Sequence, residues 1–372
     1  MQICGEILQN KMKYLFVITG IGFGHMMREE AIIREVSKKD KDAEIKIATY
    51  GLALNYFKKR FPLTEIIGQK FPDTKSEVDA TKVIFSNLFY PFQYLNNIKR
   101  IEKLIENFRP DIVISDAEPE GIVAAKKTNT KSVYVYNLDL KNIKFGRSFG
   151  LYTYIIKKAV SYCHKNATQT IIPVLTQDTG KDGKINYVNP IIRDLPTALP
   201  MERMLMHEFN FDKPPILVTI GGAKFGLKLV KNIINVAKYY DEKFIVFGVN
   251  VNPKNENVKI MPFQNNFLEY LKVSKALISL AGHCTLSEVL VYKKPSLIFP
   301  IPNYLEQYQN SYLMNDYCIK GDMDEIGLIY MRNKLDEFFS KLDKLKVKLK
   351  NYNIKNNGAT EAAEIILQTI SR

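Results

Sequence analysis

Cysteine is scarce in this sequence, and its few copies are poorly placed for cross-links or metal binding. The 372 residues include four cysteines, Cys4, Cys163, Cys284 and Cys318. They are scattered along the chain, form no CxxC pair and have no histidine at the spacing of a metal ligand. The sequence therefore argues against a disulfide framework and against a structural zinc site.

Long apolar runs are missing as well. No stretch approaches the roughly 20 apolar residues that a membrane-spanning helix needs. The segment from Met1 to Met12 lacks the basic start and the long apolar stretch of a signal peptide. We therefore expect a cytoplasmic protein.

Acidic residues are fewer than basic ones, 39 against 53, which leaves a formal net charge of +14. Such an excess favours an anionic partner, for example a nucleotide, a nucleic acid or an anionic lipid. A lysine-rich composition is, with equal weight, a general bias of some proteomes and then says nothing about a partner. No signature of an RNA- or DNA-binding module accompanies the charge. We expect no nucleic-acid partner, and a basic nucleic-acid-binding protein is a remote alternative.

The apolar segments that are present alternate with helical patterns, and the alternation occurs twice. The strand-like segment Lys13–Thr19 precedes a helical pattern and further short apolar runs. The same order restarts at Pro214–Ile220, after the segment Asn189–Pro200 with its three prolines. Alternation of this kind builds a parallel sheet covered by helices. We predict two α/β domains, residues 1–190 and 191–372.

The length supports this division, because 372 residues exceed the ~100–200 residues of a usual domain. Towards the end of the chain, the lysine-rich stretch Lys334–Lys355 predicts a solvated helix. The stretch Gly358–Ile370 predicts a last, amphipathic helix.

Ligands of open parallel sheets bind beyond the carboxyl ends of the strands, so the loops at those ends are the places to search. The first such loop reads GIGFGH and includes Gly22, Gly24 and His25. Glycines allow a tight turn and a close approach of a ligand to the backbone. A histidine in the first turn of the next helix is placed to act as a general base. The alternative is a helix-capping or solvated histidine.

Asp116 ends a strand-like segment of the same half, 91 residues after His25. A carboxylate there could hydrogen-bond one imidazole nitrogen and stabilise the imidazolium as it forms. The alternative is that Asp116 caps the following helix, which Pro119 suits at its start.

The most informative loop lies between Ala276 and Gln309. Gly282, followed by a helix N-terminus, predicts an anion site for a pyrophosphate. Glu288, one turn into that helix, could accept hydrogen bonds from both hydroxyls of a ribose. The alternative is an exposed helical glutamate, as for any single Glu.

This segment resembles the donor-binding region of GT-B glycosyltransferases. The resemblance is to the UDP-GlcNAc transferase family of bacterial cell-wall precursor synthesis and its archaeal relatives. That family carries AGxxTxxE, then a GKP-like turn, then a proline-rich strand end with a Gln-containing segment. This chain reads AGHCTLSE from Ala281, then KKP, then PIPNYLEQ ending at Gln307. Lys293 stands where Gly is common, a change that should affect only the turn.

Other segments resemble the same family and extend the match over both halves. Pro262-Phe263-Gln264 resembles the loop that reads the uracil edge, and the NPIIR segment resembles an interdomain segment with a phosphate-facing arginine. Asp116 resembles the partner aspartate of related natural-product glycosyltransferases. The resemblance thus implies that His25 and Asp116 are catalytic and that Gly22 and Gly24 form an acceptor or phosphate loop. The donor-binding residues that it implies are Arg193, Gly221, Gly222, Ala223, Phe263, Gly282, His283, Thr285, Glu288, Glu306 and Gln307.

The resemblance implies a GT-B fold, in which two Rossmann-like parallel-sheet domains face a central cleft. The first domain would bind the acceptor and the second the nucleotide-sugar, with the last helix packing back on the first domain. The reaction would be metal-independent, inverting transfer from a UDP-sugar to a hydroxyl, without a cofactor. The alternatives are a UDP-sugar 2-epimerase or a UDP-sugar hydrolase. Flagellar-sugar hydrolases also have an arginine after the loop histidine, as Arg28 is here.

Two stretches without any acidic residue, Ala80–Ile101 and Leu140–Gln177, combine aromatic and basic side chains. Apolar side chains flanked by lysines suit an anionic membrane surface. The lipid-linked acceptors of the family also imply binding at a membrane. A glycan is the alternative acceptor. We therefore expect peripheral binding to the inner face of the cell membrane. The alternative is that these aromatics form the core of the first domain.

Overall fold

The computed structural model divides the chain into two α/β halves around separate parallel sheets. It describes residues 11–70, 82, 85–140, 150–222, 224–253 and 255–371. No helix in this part of the chain is both long and apolar enough to cross a lipid bilayer.

The N-terminal half is built on an eight-stranded sheet. The strands are β1 (Lys13–Ile18), β2 (Glu44–Thr49), β3 (Leu63–Glu65), β4 (Ile112–Asp116), β5 (Ser132–Val135), β6 (Gln169–Pro173), β7 (Gly180–Asp182) and β8 (Ile185–Val188). Their order is β3-β2-β1-β4-β5-β6-β8-β7, and only the β7–β8 pair is antiparallel. In the ladder between β1 and β4, Ile18 lies opposite Asp116. The loops that follow these two strands therefore leave the sheet side by side.

Helices cover both faces of this sheet. They are α1 (Gly22–Lys39), α2 (Gly51–Phe57), α3 (Tyr90–Phe108), α4 (Pro119–Lys127) and α5 (Gly150–Asn166). The central strand β1 shows why the sequence requires two layers. Tyr14, Phe16 and Ile18 are buried in one apolar cluster, while Leu15 and Val17 are buried in another on the opposite face. A strand that is apolar on both faces is stable only between two layers of helices.

The C-terminal half repeats the design with six strands, all parallel. They are β9 (Ile216–Thr219), β10 (Phe244–Phe247), β11 (Val258–Met261), β12 (Ala276–Leu280), β13 (Ser296–Phe299) and β14 (Cys318–Lys320), in the order β11-β10-β9-β12-β13-β14. The helices are α6 (Glu202–Glu208), α7 (Leu227–Ala237), α8 (Phe267–Val273), α9 (His283–Val291), α10 (Leu305–Leu313), α11 (Leu328–Ser340) and α12 (Leu342–Lys350). This strand order is the doubly wound one of a nucleotide-binding sheet.

The last helix, α13 (Gly358–Ser371), returns to the N-terminal half. Its buried residues Ala362 and Ile366 belong to the same apolar cluster as β1 and α1. At its start, a Cβ on Gly358 would lie 1.9 Å from the carbonyl oxygen of Asn189, so only glycine fits there. The chain thus crosses between the halves twice.

One prediction about the C-terminal half is wrong. The stretch Lys334–Lys355 is not a single solvated helix but spans most of α11 and all of α12. Leu335, Phe338, Leu345 and other apolar residues in it are buried in the core of this half. The composition of the stretch concealed these buried apolar residues, because lysines stand between them in the sequence.

Candidate active site

The loops at the carboxyl ends of the two sheets meet across a cleft. The amide of Phe23 donates to the carbonyl of Gly221 at 3.4 Å, and the Cys284 thiol donates to the carbonyl of Gly24 at 3.1 Å. The rings of Phe23 and Phe263 are 4.6 Å apart between centroids. The glycine-rich loop of the first half therefore touches the corresponding loops of the second.

Two of the glycines at this contact cannot be replaced without strain. Gly22 and Gly222 have φ angles of +69° and +77°, in the left-handed region. A Cβ on Gly222 would lie 2.5 Å from the ring of Phe23. Ala223, which was predicted to bind the donor, lies outside the described residues.

His25 and Asp116 come together as neighbours, although 91 residues separate them in the sequence. His25 Nδ1 lies 2.7 Å from Asp116 Oδ1. The histidine side chain is 17% exposed, whereas the aspartate is fully buried beneath it. Neither residue is a helix cap, because the N-caps of α1 and α4 are Ile21 and Glu118.

Arg28 completes this cluster, in a role that the sequence pattern did not predict. It lies one turn after His25 on α1 and is also buried. Its Nε and Nη2 donate to the two oxygens of Asp116 at 2.9 and 2.5 Å, and Nη2 lies 2.8 Å from His25 Nδ1. A spacing of three residues places His25 and Arg28 on one helix face. This spacing was the sequence signal from which a role for Arg28 beside His25 could have been predicted.

The cluster continues across the cleft. Arg28 Nη1 donates to Asn137 Oδ1 at 3.3 Å, and Asn137 Nδ2 donates to Glu306 Oε1 at 3.0 Å. Glu306 belongs to the first turn of α10 in the other half. A chain of hydrogen bonds therefore joins Asp116 to a predicted donor-binding residue.

Two adjacent cavities lie between the halves and share part of their walls. The junction cavity, of about 150 Å³, is bordered by His25 and Arg28 from one half. The other predicted residues on its wall are Gly22, Gly24, Gly221, Gly282, His283, Thr285, Glu306 and Gln307. The C-terminal cavity beside it is bordered by the predicted residues Arg193, Gly221, Gly222, Phe263, Thr285 and Glu288.

Two of the predicted side chains hold the walls together. His283 Nε2 donates to the carbonyl of Pro173 in the other half at 3.0 Å, and burial lowers the pKa of this histidine to about 3, so its ring is neutral. Gln307 Oε1 accepts from the amides of Ala281 and Ile301 at 3.2 and 3.0 Å. These contacts fix the loop that begins α9 and the loop that follows β13.

Comparison with known proteins gives these cavities a context. The family described as Glycosyl transferase family 1 matches residues 12–179, and the Glycosyltransferase family 28 C-terminal domain matches residues 220–366. The two matches cover most of both halves and include the loops that form the cleft. The chain is a GT-B glycosyltransferase.

Curated relatives agree with this assignment over most of their length. An uncharacterized glycosyltransferase of Methanosarcina mazei is 26% identical over 326 residues, which cover 82% of this chain and 84% of the relative. A second relative is the UDP-N-acetylglucosamine--N-acetylmuramyl-(pentapeptide) pyrophosphoryl-undecaprenol N-acetylglucosamine transferase of Thermoanaerobacter sp. strain X514. It is 26% identical over 322 residues, 80% of this chain and 82% of the relative.

Solved structures confirm the predicted GT-B fold. The Acinetobacter baumannii MurG structure superposes with a TM-score of 0.63 at 14% identity, covering 96% of this chain and 99% of that one. A Medicago truncatula protein complexed with UDP-glucose gives a TM-score of 0.65 at 12% identity, covering 97% and 99%.

The charge state of this glycosyltransferase's cluster follows from its contacts. Burial alone would raise the pKa of Asp116, but the charges of Arg28 and His25 and their hydrogen bonds hold that pKa well below its usual range. Asp116 is therefore a carboxylate. When His25 carries its proton on Nδ1, it donates to Asp116, and the lone pair of Nε2 is free to accept a proton.

Glu29, the neighbour of Arg28, adds a second carboxyl to the cluster and was also missed. It is fully buried, and burial together with the negative charge of Asp116 raises its pKa well above the usual value. Glu29 is therefore a neutral acid, and neither of its carboxyl oxygens has a partner among the described residues. Asp116 itself is held by Arg28 and His25.

Glu288 has an unusual electrostatic position in the C-terminal cavity. It is only 7% exposed, contrary to the alternative of an exposed helical glutamate. Burial raises its pKa to about 7, against the opposing effect of the positive charge of Arg193. The carboxylate that could accept two hydroxyl hydrogen bonds is thus only half populated near neutral pH.

We expect the affinity for a nucleotide-sugar to depend on pH through Glu288. The raised pKa means that the carboxyl is protonated below pH 7, so affinity should fall about tenfold from pH 8 to pH 6. Isothermal titration with a UDP-sugar measures this, since its diphosphate has no proton to lose in that range. Glu288→Gln should bind more weakly and with no such slope, while Glu208→Gln, an exposed control on α6, should behave as wild type. An equal slope in Glu288→Gln would contradict the assignment.

Proposed function

We propose that this glycosyltransferase moves a sugar from a UDP-sugar to a hydroxyl acceptor, with inversion at the anomeric carbon. The observation that carries the proposal is the position of His25. It borders the junction cavity and also a larger cavity of about 410 Å³ on the N-terminal half, which we call the tyrosine cavity. A base between an acceptor site and a donor site is placed to activate the acceptor during attack.

On the acceptor side, His25 Nε2 would take the proton of the hydroxyl as its oxygen attacks the anomeric carbon. The C–O bond to the diphosphate then breaks, UDP departs with the bonding electrons, and the configuration inverts. Asp116 would stabilise the imidazolium through Nδ1, which lies 2.7 Å from it. Arg28 would hold the carboxylate in place rather than contact the substrate.

On the donor side, the diphosphate would lie at the start of α9. The N-cap of this helix, Gly282, makes no side-chain cap, so the first-turn amides are available to an anion. Arg193 would add a positive charge, and its Nε is buried without a partner among the described residues. These groups can neutralise the leaving group without a metal or cofactor. Glu288 would accept the ribose hydroxyls.

The uridine base is proposed from relatives and from Phe263. The Thermoanaerobacter relative is named for a UDP-sugar, and the Medicago structure contains UDP-glucose. Phe263 lies at the edge of the C-terminal cavity, where a base could stack or contact its backbone. Another structural neighbour, VinC, was solved with dTDP, so the base needs a direct test.

The rival activities, 2-epimerisation and hydrolysis of a UDP-sugar, use no acceptor. The tyrosine cavity favours transfer over both, because it offers room for an acceptor directly beside His25. Incubating a UDP-sugar with the protein alone separates the three activities. Fast, complete turnover without an acceptor would identify an epimerase or a hydrolase.

We further propose that the acceptor is presented at an anionic membrane. Exposed apolar side chains cluster at the start of α3 and include Phe85, Phe89 and Phe92, which are 69–73% exposed. These three side chains are therefore not core residues, whereas Tyr94 and Val160 of the same two stretches pack in apolar clusters, as the alternative expects. Lys157 and Lys158 lie on α5, which also helps to line the tyrosine cavity. Residues 80–81, 83–84 and 141–149 of the same stretches lie outside the described residues.

His25→Ala should lower turnover by about two to four orders of magnitude, the range for a lost general base. The exposed His207→Ala serves as the matched control and should leave the rate unchanged. Asp116→Asn should cost less in rate, and that cost should largely vanish in the His25→Ala background. Additive losses would contradict a dyad.

The same Asp116→Asn change should also lower stability by about 3–5 kcal/mol, because it leaves Arg28 buried beside a neutral group. Thermal or denaturant unfolding measures this loss. Rates of the variant must therefore be taken well below its melting temperature.

Uridine nucleotides should stabilise the fold in a thermal-shift titration. A ligand at ~100 times its dissociation constant adds about 2.7 kcal/mol. UDP should raise the melting temperature more than dTDP or GDP at the same concentration. A shift with dTDP or GDP but none with any uridine compound would refute the uridine assignment and leave the fold assignment intact.

Vesicle co-sedimentation tests the membrane proposal. Binding should require anionic lipid and weaken with salt, since each basic residue near such a surface adds ~1 kcal/mol. Lys157→Glu with Lys158→Glu should weaken binding by about tenfold or more. Lys344→Glu with Lys346→Glu, the same charge reversal on α12, is the control and should have little effect. Absence of binding at low salt would end the proposal.

A further inference from the structure

The tyrosine cavity is lined by acidic groups, although the whole protein is basic. The chain carries a formal net charge of +14. Among the described residues that line this cavity there is no lysine or arginine, but there are three carboxyl groups, those of Glu118, Glu120 and Glu306. Tyr50, Tyr90 and other tyrosines form much of the remaining wall. An acidic, aromatic cavity is a selective environment for a ligand.

Two of these carboxyls form a buried pair at the start of α4. Glu118 is the N-cap residue and Glu120 lies in the first turn, and they are 4% and 0% exposed. Tyr50 OH donates to Glu118 Oε1 at 2.9 Å, and Tyr90 OH donates to Glu120 Oε1 at 2.8 Å. Glu120 Oε2 is buried with no hydrogen-bond donor in the described part of the chain. The pair therefore has accepting capacity that the protein itself does not use.

The electrostatics of the pair oppose an anion and favour a cation. Burial raises the pKa of both carboxyls, and the charge of Glu120 raises that of Glu118 further. Like Glu29, the pair therefore holds protons while the cavity is empty. A phosphate placed here would find no basic side chain in the described wall to neutralise it. An ammonium group would take the place of a proton, which is released to water, because its positive charge and N–H donors stabilise the carboxylate form of the pair.

We propose that the tyrosine cavity receives an amine-bearing sugar as the acceptor, with its ammonium group between Glu118 and Glu120. This inference rests on the proposed function, because it takes the cavity beside His25 as the acceptor site. The tyrosine rings offer flat surfaces for the sugar ring and for the cation. If the acceptor is linked to a lipid phosphate, that phosphate stays outside the cavity, on the side of the basic residues of α5.

The test compares sugars that differ mainly in charge. Glucosamine and 6-amino-6-deoxyglucose are cationic near pH 6.5, glucose is neutral and glucose 6-phosphate is anionic. Their dissociation constants are measured by ligand-observed NMR on the full chain saturated with UDP. The cationic sugars should bind about tenfold or more tightly than glucose, the effect of one charge-assisted hydrogen bond, and the phosphate should bind most weakly.

Isosteric variants test whether the preference for cationic sugars depends on Glu118 and Glu120. Glu118→Gln and Glu120→Gln should each remove most of the advantage of the cationic sugars, whereas Glu106→Gln, on the exposed side of α3, should retain it. The affinity for UDP, measured on the same samples, reports folding of each variant and should not change.

The outcomes separate this inference from the function on which it rests. Equal binding of glucose and the cationic sugars, tighter binding of glucose 6-phosphate, or no binding of either amine at about 10 mM would overturn the inference while UDP binding is retained. Loss of the preference in Glu106→Gln would overturn it as well. Failure of the wild-type protein to bind UDP or any UDP-sugar would instead overturn the proposed function.

Discussion

The buried carboxylate of Asp116 is the group around which the cleft is organised. A buried charge is costly unless it is paired and fully hydrogen-bonded. Here Arg28 supplies two hydrogen bonds and the opposite charge, and His25 supplies a third contact. Once Asp116 is placed by the ladder between β1 and β4, the loop histidine and the helix that carries it have little freedom. The position of the proposed base is thus a consequence of satisfying a buried ion.

The same ion pair links the two halves of the protein. Arg28 donates to Asn137, which donates in turn to Glu306 on the opposite side of the cleft. The contact between Phe23 and the loop at Gly222 closes the cleft on the other side and depends on a residue without a Cβ. Because α13 also returns to the N-terminal half, the relative position of the halves depends on polar contacts, on apolar contacts such as Phe23–Phe263 and on one helix. Separation of the halves would break the hydrogen-bond network beside His25. The orientation of His25 is therefore coupled to closure of the two halves.

Strong local signals in the sequence predicted the architecture and part of the site. Strands such as Lys13–Ile18 are apolar on both faces, and each ends at a glycine or a polar loop, so their edges were predictable within a residue or two. Asp116 and His25 could be paired because both follow central strands. The roles of Arg28, Glu29 and Asn137 could not be predicted, because they depend on how side chains from three elements fill one buried volume. The predicted solvated helix at Lys334–Lys355 failed because composition concealed the buried apolar residues.

The charge of the whole chain likewise concealed the charges of its cavities. A net charge of +14 favours anionic partners on average, and the proposed diphosphate site at α9 with Arg193 fits that average. The tyrosine cavity does not, because Glu118 and Glu120 are buried where distant lysines are screened by water and ions. The field that a ligand meets inside a cavity is set by the groups within a few ångströms. One protein can therefore hold an anion on one side of His25 and a cation on the other, and this difference would orient the two substrates before the reaction.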